Sequence, residues 1–248
     1  MTGSSGGCDS KLYDRESRRR KAAKIVTILE DFVGRERLAS LRCLDMGCSA
    51  GLITQHLSSR FQTTVGLDLD IAATAFAQES NTNERVIYLA GDVAHLPFTA
   101  WSFDILVCAQ VYEHVADQEA LFRELWRVLR PGGVCFFSGP NRLAVLEEHY
   151  SLLFLSWFPR PLADAYTRIT GRGDAYHEKP LTYWQLRCHL RQFSIHDYTV
   201  EMVKFPDRFS CSDEMSGRLK SLVSKLPQSI LRGLIFLLPN YNWVLWKA

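Results

Sequence analysis

The chain has 248 residues, 47% hydrophobic and 23% charged, with a formal net charge of +2. That length suits one large domain, or a domain with an insert, and the near-neutral balance argues against a broad nucleic-acid face. The 7 cysteines are odd in number, scattered and without a CxxC pair, which argues against a disulfide framework or a zinc site and fits reduced thiols in a cytoplasmic protein.

The first ten residues, MTGSSGGCDS, lack the charged start and apolar centre of a signal peptide and predict a flexible tail over 1–10, ahead of a single domain over 11–248. Lys11 to Val33 reads as a helix, because Ala22, Ile25, Val26, Leu29, Phe32 and Val33 recur on one face. Asp9 or Ser10 suits its start and Gly34 its end, and the run Arg18, Arg19, Arg20, Lys21 reads most simply as its solvated side, with phosphate or membrane binding as the alternative. Strands and helices then alternate. RCLDM, TTVGLD, RVIYLAGD, FDILVCAQ and VCFFSG read as strands. LITQHLSS, IAATAFAQES and QEALFRELWRVLR read as helices, the last with Leu121, Leu125, Val128 and Leu129 inward, and PGG then makes a turn. Such alternation predicts an α/β fold, with a largely parallel sheet covered by helices on both faces and ligands outside the carboxyl ends of its strands.

The alternation fails from about residue 140 to 180, where SLLFLSWF, several prolines and GRGDAYHEKP form an insert of the length used for lids and substrate-binding elements. TYWQLRCHLRQF resumes as a helix and SIHDYTVEMV as a strand. RLKSLVSKL and SILRGLIFLL read as helices, and YNWVLWK as an apolar strand, antiparallel at or near the sheet edge. No apolar run reaches the roughly 18 residues that a membrane span requires.

The stretch LDMGCSAG sits where a strand turns into a helix. Glycines there let a ligand approach the backbone, and a helix start favours electron-rich groups. The spacing departs from the dinucleotide fingerprint G-x-G-x-x-G, since no third glycine follows. Asp45 ahead of the turn would repel a pyrophosphate and suits an ammonium group; helix capping is its plainer role. The balance favours an amino-acid-bearing nucleoside over a nicotinamide dinucleotide.

LDMGCSAG resembles the first motif of the class I S-adenosylmethionine-dependent methyltransferases, in the methyltransferase type 11-like branch with D-x-G-C-x-x-G. VGLDLD, AGDVAHLPF, FDILVCAQVYEHV and LFRELWRVLRPGGVCFFSGPN are similar to that branch's further motifs, in the same order, from about Leu41 to Asn141. The resemblance implies a Rossmann-like seven-stranded mixed sheet whose last two strands are SIHDYTVEMV and YNWVLWK. It implies S-adenosyl-L-methionine as cofactor. Gly47 and Gly51 would allow close approach of its methionine part, with Cys48 and Ser49 offering backbone N–H groups. Asp68 would hold the ribose and Asp92 the adenine amine. Leu69 and Val93 would flank the adenine or serve as core, and Gln110 would lie near the transferable methyl.

His114 follows the fourth strand and could take a proton near neutral pH as catalytic base, or with Glu113 simply position the loop. Asp117 suits the cap of the next helix. Tyr176, His177, Lys179 and Tyr183 could contact substrate or belong to an ordinary surface loop, and Tyr13 could cover the cofactor. No metal is expected. The reaction implied is methyl transfer to a small or lipid-like acceptor, with a hydroxyl oxygen favoured. The alternatives are a quinone-type carbon methyltransferase, an RNA-modifying enzyme, a partner-activating subunit that binds cofactor without turnover and, against the glycine spacing, a nicotinamide-dependent oxidoreductase. The apolar insert leaves peripheral membrane contact open, and a monomer or a homodimer is expected.

Overall fold

The computed structural model describes residues 15–147, 149–211 and 227–248. The expected tail, Tyr13 and the segment RLKSLVSKL lie outside the described residues. In chain order the elements are helices α1 (Arg15–Val33) and α2 (Arg35–Leu38), β1 (Arg42–Met46), α3 (Leu52–Ser58), β2 (Thr63–Asp68), α4 (Ile71–Glu79), β3 (Val86–Ala90) and β4 (Phe103–Ala109). After a short turn of helix at Tyr112–His114 come α5 (Gln118–Val128) and β5 (Leu129–Pro140). The insert carries a small hairpin of β6 (Leu146–Glu147) and β7 (Leu152–Leu153), then α6 (Arg160–Ile169). α7 (Tyr183–His189), β8 (Ser194–Asp197), α8 (Thr199–Lys204), α9 (Gln228–Gly233) and β9 (Asn240–Trp246) complete it.

Seven strands form one sheet in the order β3-β2-β1-β4-β5-β9-β8. β1 to β5 pair in parallel, and β9 runs antiparallel to both of its neighbours. The order reverses beside β1, so the crevice at the carboxyl ends of β1 and β4 is where a ligand site belongs. Strand alternation divides the core. Ile105, Val107, Val134 and Phe136 pack with Ile25, Ile28 and Leu29 of α1 on one face. Leu106, Cys108, Cys135 and Phe137 pack with Leu121 and Leu125 of α5 on the other. Period-2 burial on both sides is what a doubly covered sheet demands.

Two expectations change. SIHDYTVEMV is a strand only over Ser194–Asp197 and then becomes α8. β8 is the sheet edge, and Val200 and Met202 are buried by turning helical above β9 rather than by extending it. As expected, YNWVLWK runs antiparallel near that edge, one place in, between β5 and β8. The PGG turn survives inside β5 as an irregularity: Leu129 pairs with Phe103 and Val134 with Ile105, so Arg130 to Gly133 loop out opposite Asp104. Cys43, Cys48, Cys108, Cys135 and Cys188 are free thiols.

Candidate functional site

The site begins at the glycine turn between β1 and α3. Gly47 and Gly51 take φ of +73° and +76°, and a Cβ would stand 2.7 Å from the Val111 Cγ2 at the first and 2.5 Å from the Tyr88 hydroxyl oxygen at the second. Conformation and space both require glycine at these two positions. The turn is laced to the end of β2. The N–H groups of Gly47 and Cys48 donate to the Leu67 carbonyl at 2.8 and 3.1 Å, and the Ser49 N–H donates to Asp68 Oδ2 at 2.7 Å. The expectation that Cys48 and Ser49 offer free N–H groups is thereby corrected: the end of β2 takes both. Their residues still line the cleft.

Asp45 lies at the floor of that cleft, buried, with the Thr54 hydroxyl donating to its Oδ2 at 2.6 Å. Burial, opposed by the Thr54 hydrogen bond and reinforced by the Asp68 charge, lifts its pKa to about 7. Arg18 from α1 lines the same cleft and draws the pKa back down. On the neighbouring strands, Asp68 also accepts from the Asp70 N–H at 2.9 Å. Asp92 accepts from the Ala94 N–H at 2.8 Å and lies 3.2 Å from His95 Nδ1. Leu69 is 73% exposed beside Asp68, whereas Val93 is buried in the core. The structure therefore brings Asp45, Gly47, Gly51, Asp68 and Asp92 to the carboxyl ends of three adjacent strands.

A larger cavity of about 490 Å³ shares Arg18, Ile53 and Ala109 with this cleft. Ile25, Phe136, Met202 and Leu238 give it apolar walls, and Gln110, Ser138, Asn240 and Asn242 give it a polar end. Gln110 is held there with a φ of +60°, its N–H donating to the Ser138 carbonyl at 2.8 Å and its side-chain amide to Asn240 Oδ1 at 3.3 Å. Arg18 and Lys21 face this space while Arg19 and Arg20 are exposed, which corrects the reading of the whole basic run as solvated. At about 100° per residue, positions three apart share a helix face.

His114 is not among the residues lining either space. It sits on the turn beyond Gln110, its Nε2 3.8 Å from Glu113 Oε1 and its ring 5.4 Å from that of His149. Burial, then the charge of His149, lowers its pKa and favours a neutral imidazole. Glu113 is fully buried with no hydrogen-bond partner on either carboxylate oxygen, and burial pushes its pKa to about 7. His149 is held the other way, its pKa raised by a 3.1 Å contact with Glu147. Glu113, His114 and His149 bring ligand atoms within 4.8 Å of one another, a donor set of the kind that takes a divalent cation. Sequence spacing gives no sign of this group, since His149 comes from the insert.

The insert residues proposed for substrate do not converge on the cavity. Tyr176 is buried in the insert's own small core, its ring 5.4 Å from that of Tyr150. His177 is exposed. Tyr183 packs against Tyr241 and Trp243 in the core on the α5 face. Both tyrosines pack against apolar surface, and neither lines the large cavity. Lys179 contributes backbone, its N–H donating to the Glu113 carbonyl at 2.9 Å. Sequence reasoning missed Arg18, Ser138, Asn240 and Asn242. Only Arg18 left a signal, its spacing from the buried Ala22 and Ile25.

The cleft offers one buried carboxylate and one guanidinium, the pair that an α-amino acid's ammonium and carboxylate need. With acid acceptors on the next two strands and a turn kept open by glycine, these residues fit S-adenosylmethionine. Residues 44–137 match the family described as "Methyltransferase domain". The chain is 30% identical over 160 residues to a ubiquinone biosynthesis O-methyltransferase of Pseudomonas entomophila (strain L48), covering 58% of this chain and 67% of that protein. It is 34% identical over 129 residues to the protein of the same name in Psychrobacter cryohalolentis, covering 48% and 50%. In fold it resembles an S-adenosylmethionine-dependent methyltransferase from Mesorhizobium loti, with a TM-score of 0.59 at 16% identity over 93% of this chain and 99% of that one. It also resembles the plantazolicin methyltransferase BpumL, solved in complex with a monoazolic desmethylPZN analog and SAH, with a TM-score of 0.60 at 16% identity over 97% and 89%.

Proposed function

The chain belongs to the class I S-adenosylmethionine-dependent methyltransferases, with S-adenosylmethionine as its donor, and we propose that its acceptor is a hydroxyl oxygen on a small apolar or lipid-like molecule. The observation that carries this reading is the 490 Å³ cavity, with apolar walls from Ile25, Phe136, Met202 and Leu238 beside a polar end, sharing Arg18, Ile53 and Ala109 with the donor cleft. The name carried by the relatives, O-methyltransferase, supports the choice of oxygen.

When bound, S-adenosylmethionine supplies a methyl on a sulfonium that an acceptor oxygen can displace in line. The protein's part is to hold, align and exclude water. Asp45 and Arg18 grip the amino-acid end, Asp68 the ribose and Asp92 the adenine amine. Leu69 and Val93 flank the ring, and Gln110 stands at the junction with the acceptor cavity. His114 lines neither space, and an acceptor hydroxyl that reached past Gln110 to its turn would meet a neutral imidazole able to take the proton. Phe154, Trp157, Phe158 and Leu162 of the insert are 40%, 44%, 40% and 58% exposed, an apolar surface suited to delivering the acceptor from a bilayer. Among the described residues no helix is long and apolar enough to cross a membrane.

The test is a screen with isotopically labelled donor against phenols, catechols and long-chain hydroxyl compounds, with and without liposomes. Label recovered as a methyl ether is the expected result. Label found only on ring carbon or on RNA would overturn the oxygen assignment.

A further inference from the structure

The polar end of the acceptor cavity is built by two strands in register. Ser138 of β5 stands directly opposite Asn242 of β9, one step beyond the apolar pair Phe136 and Val244. Alternation along each strand puts Ser138 on the face of Val134 and Phe136, and Asn242 on the face of Val244, so both side chains point to the α1 side of the sheet, where the cavity lies. Their backbones are committed elsewhere. The Ser138 carbonyl accepts from the Gln110 N–H at 2.8 Å, on the β4 side. The Asn242 N–H donates to the Thr199 hydroxyl at 2.9 Å, and its carbonyl accepts from the Tyr198 N–H at 3.0 Å, on the β8 side. The two therefore form a non-hydrogen-bonded cross-strand pair, the kind that brings side chains closest. Ser138 and Asn242 are 6% and 8% exposed, and among the described residues neither the Ser138 hydroxyl nor the Asn242 carboxamide has a hydrogen-bond partner. Ala109 pairs with Ser138 and lines both the cavity and the donor cleft, so this polar pair lies at the donor end.

We propose that Ser138 and Asn242 form a subsite for a second, neutral polar group of the acceptor, a hydroxyl or a carboxamide, carried on the carbon next to the hydroxyl that is methylated. The apolar body of the acceptor then lies against Phe136 and Met202. The inference rests on the acceptor cavity assigned above and adds which end of the acceptor enters toward the donor. A hydroxyl and a carboxamide each donate and accept, so a group with both capacities satisfies them, whereas a carboxylate only accepts and sets its charge against the carboxamide oxygen. A head with a single hydroxyl leaves buried polar atoms unpaired, which is how a site of this kind discriminates.

The experiment uses the full chain saturated with S-adenosylhomocysteine and the neutral fluorescent probe N-phenyl-1-naphthylamine, displaced by two pairs of uncharged isomers. Decane-1,2-diol is compared with decane-1,10-diol, and 2-hydroxydecanamide with 10-hydroxydecanamide. An isomer with adjacent polar groups is expected to displace the probe at roughly 10-fold lower concentration than its separated counterpart. The pair with the larger ratio identifies the second group as hydroxyl or carboxamide. Ser138→Ala alone should cut that ratio about 3-fold, and Ser138→Ala/Asn242→Leu about 10-fold, while S-adenosylhomocysteine affinity by calorimetry stays at the wild-type value. Equal displacement within both pairs in the wild-type chain, or a ratio that Ser138→Ala leaves unmoved, would overturn the subsite and leave the apolar cavity standing. Failure of the probe and of every ligand to bind would overturn both.

Discussion

At the scale of single residues, the chemistry depends on where charge is allowed to be buried. Asp45 is the clearest case. Its pKa of about 7 lies above the ordinary 3.8, so the folded chain holds that proton more tightly than the unfolded one. A raised carboxyl favours the fold below pH 4 and loses that contribution as pH climbs through about 7. Without donor, the thermal midpoint should fall from pH 5 to 8 more steeply than in Asp45→Asn. Donor affinity should rise over the same range, because the ionised carboxylate meets the ammonium, and should flatten in the variant. Parallel curves for the two proteins by calorimetry would remove Asp45 from the donor site. For His114→Ala we expect unchanged donor affinity and a loss of about 100-fold in turnover of hydroxyl acceptors; unchanged turnover would give the proton to another group. Asp45 and the two glycines could be read from the motif. Arg18 left only its spacing from Ala22 and Ile25 as a signal, one of four consecutive basic residues that otherwise look alike.

At the scale of elements, α1 and α8 close the acceptor cavity from two sides, and one acid joins them. Asp31 of α1 accepts from the Tyr198 hydroxyl at 2.8 Å and pairs with Arg208 beyond α8. Removing it strands a phenol in a buried residue. Asp31→Ala should therefore lower unfolding free energy by about 1–3 kcal/mol in a urea titration. It should also raise the acceptor KM more than it lowers kcat, because it loosens cavity walls rather than the donor cleft. The strands β1 and β2 coincide with the apolar runs visible in the sequence, since both are buried within the sheet. β8 does not, because an edge strand has one neighbour, and its following residues gain more burial as helix.

At the scale of the whole molecule, the antiparallel β9 ties the sheet to the insert side. Trp243 is fully buried at its centre, stacked 5.0 Å from Tyr241 and 6.2 Å from Phe137, with its indole N–H donating to Asp197 Oδ2 at 2.7 Å. Trp243→Ala should reduce stability by about 3–5 kcal/mol, measured by chemical denaturation in the presence of S-adenosylhomocysteine. A loss under 1 kcal/mol would mean that β9 contributes little to the core. The same strand supplies Asn240 and Asn242 to the cavity, so partial unfolding of β9 should abolish acceptor binding before donor binding.

The sequence by itself determined the alternating sheet and helices, the glycine turn with its acid, and the acids on the next two strands. Those are local: each rests on periodicity or on residues a few positions apart. Tertiary structure decided which cations of α1 face inward and where Tyr176 and Tyr183 pack. It also set His149 beside His114 and built the cavity from α1, β4, β5, α8 and β9. Such contacts join residues far apart in the chain, and no local pattern encodes which distant surface will cover them.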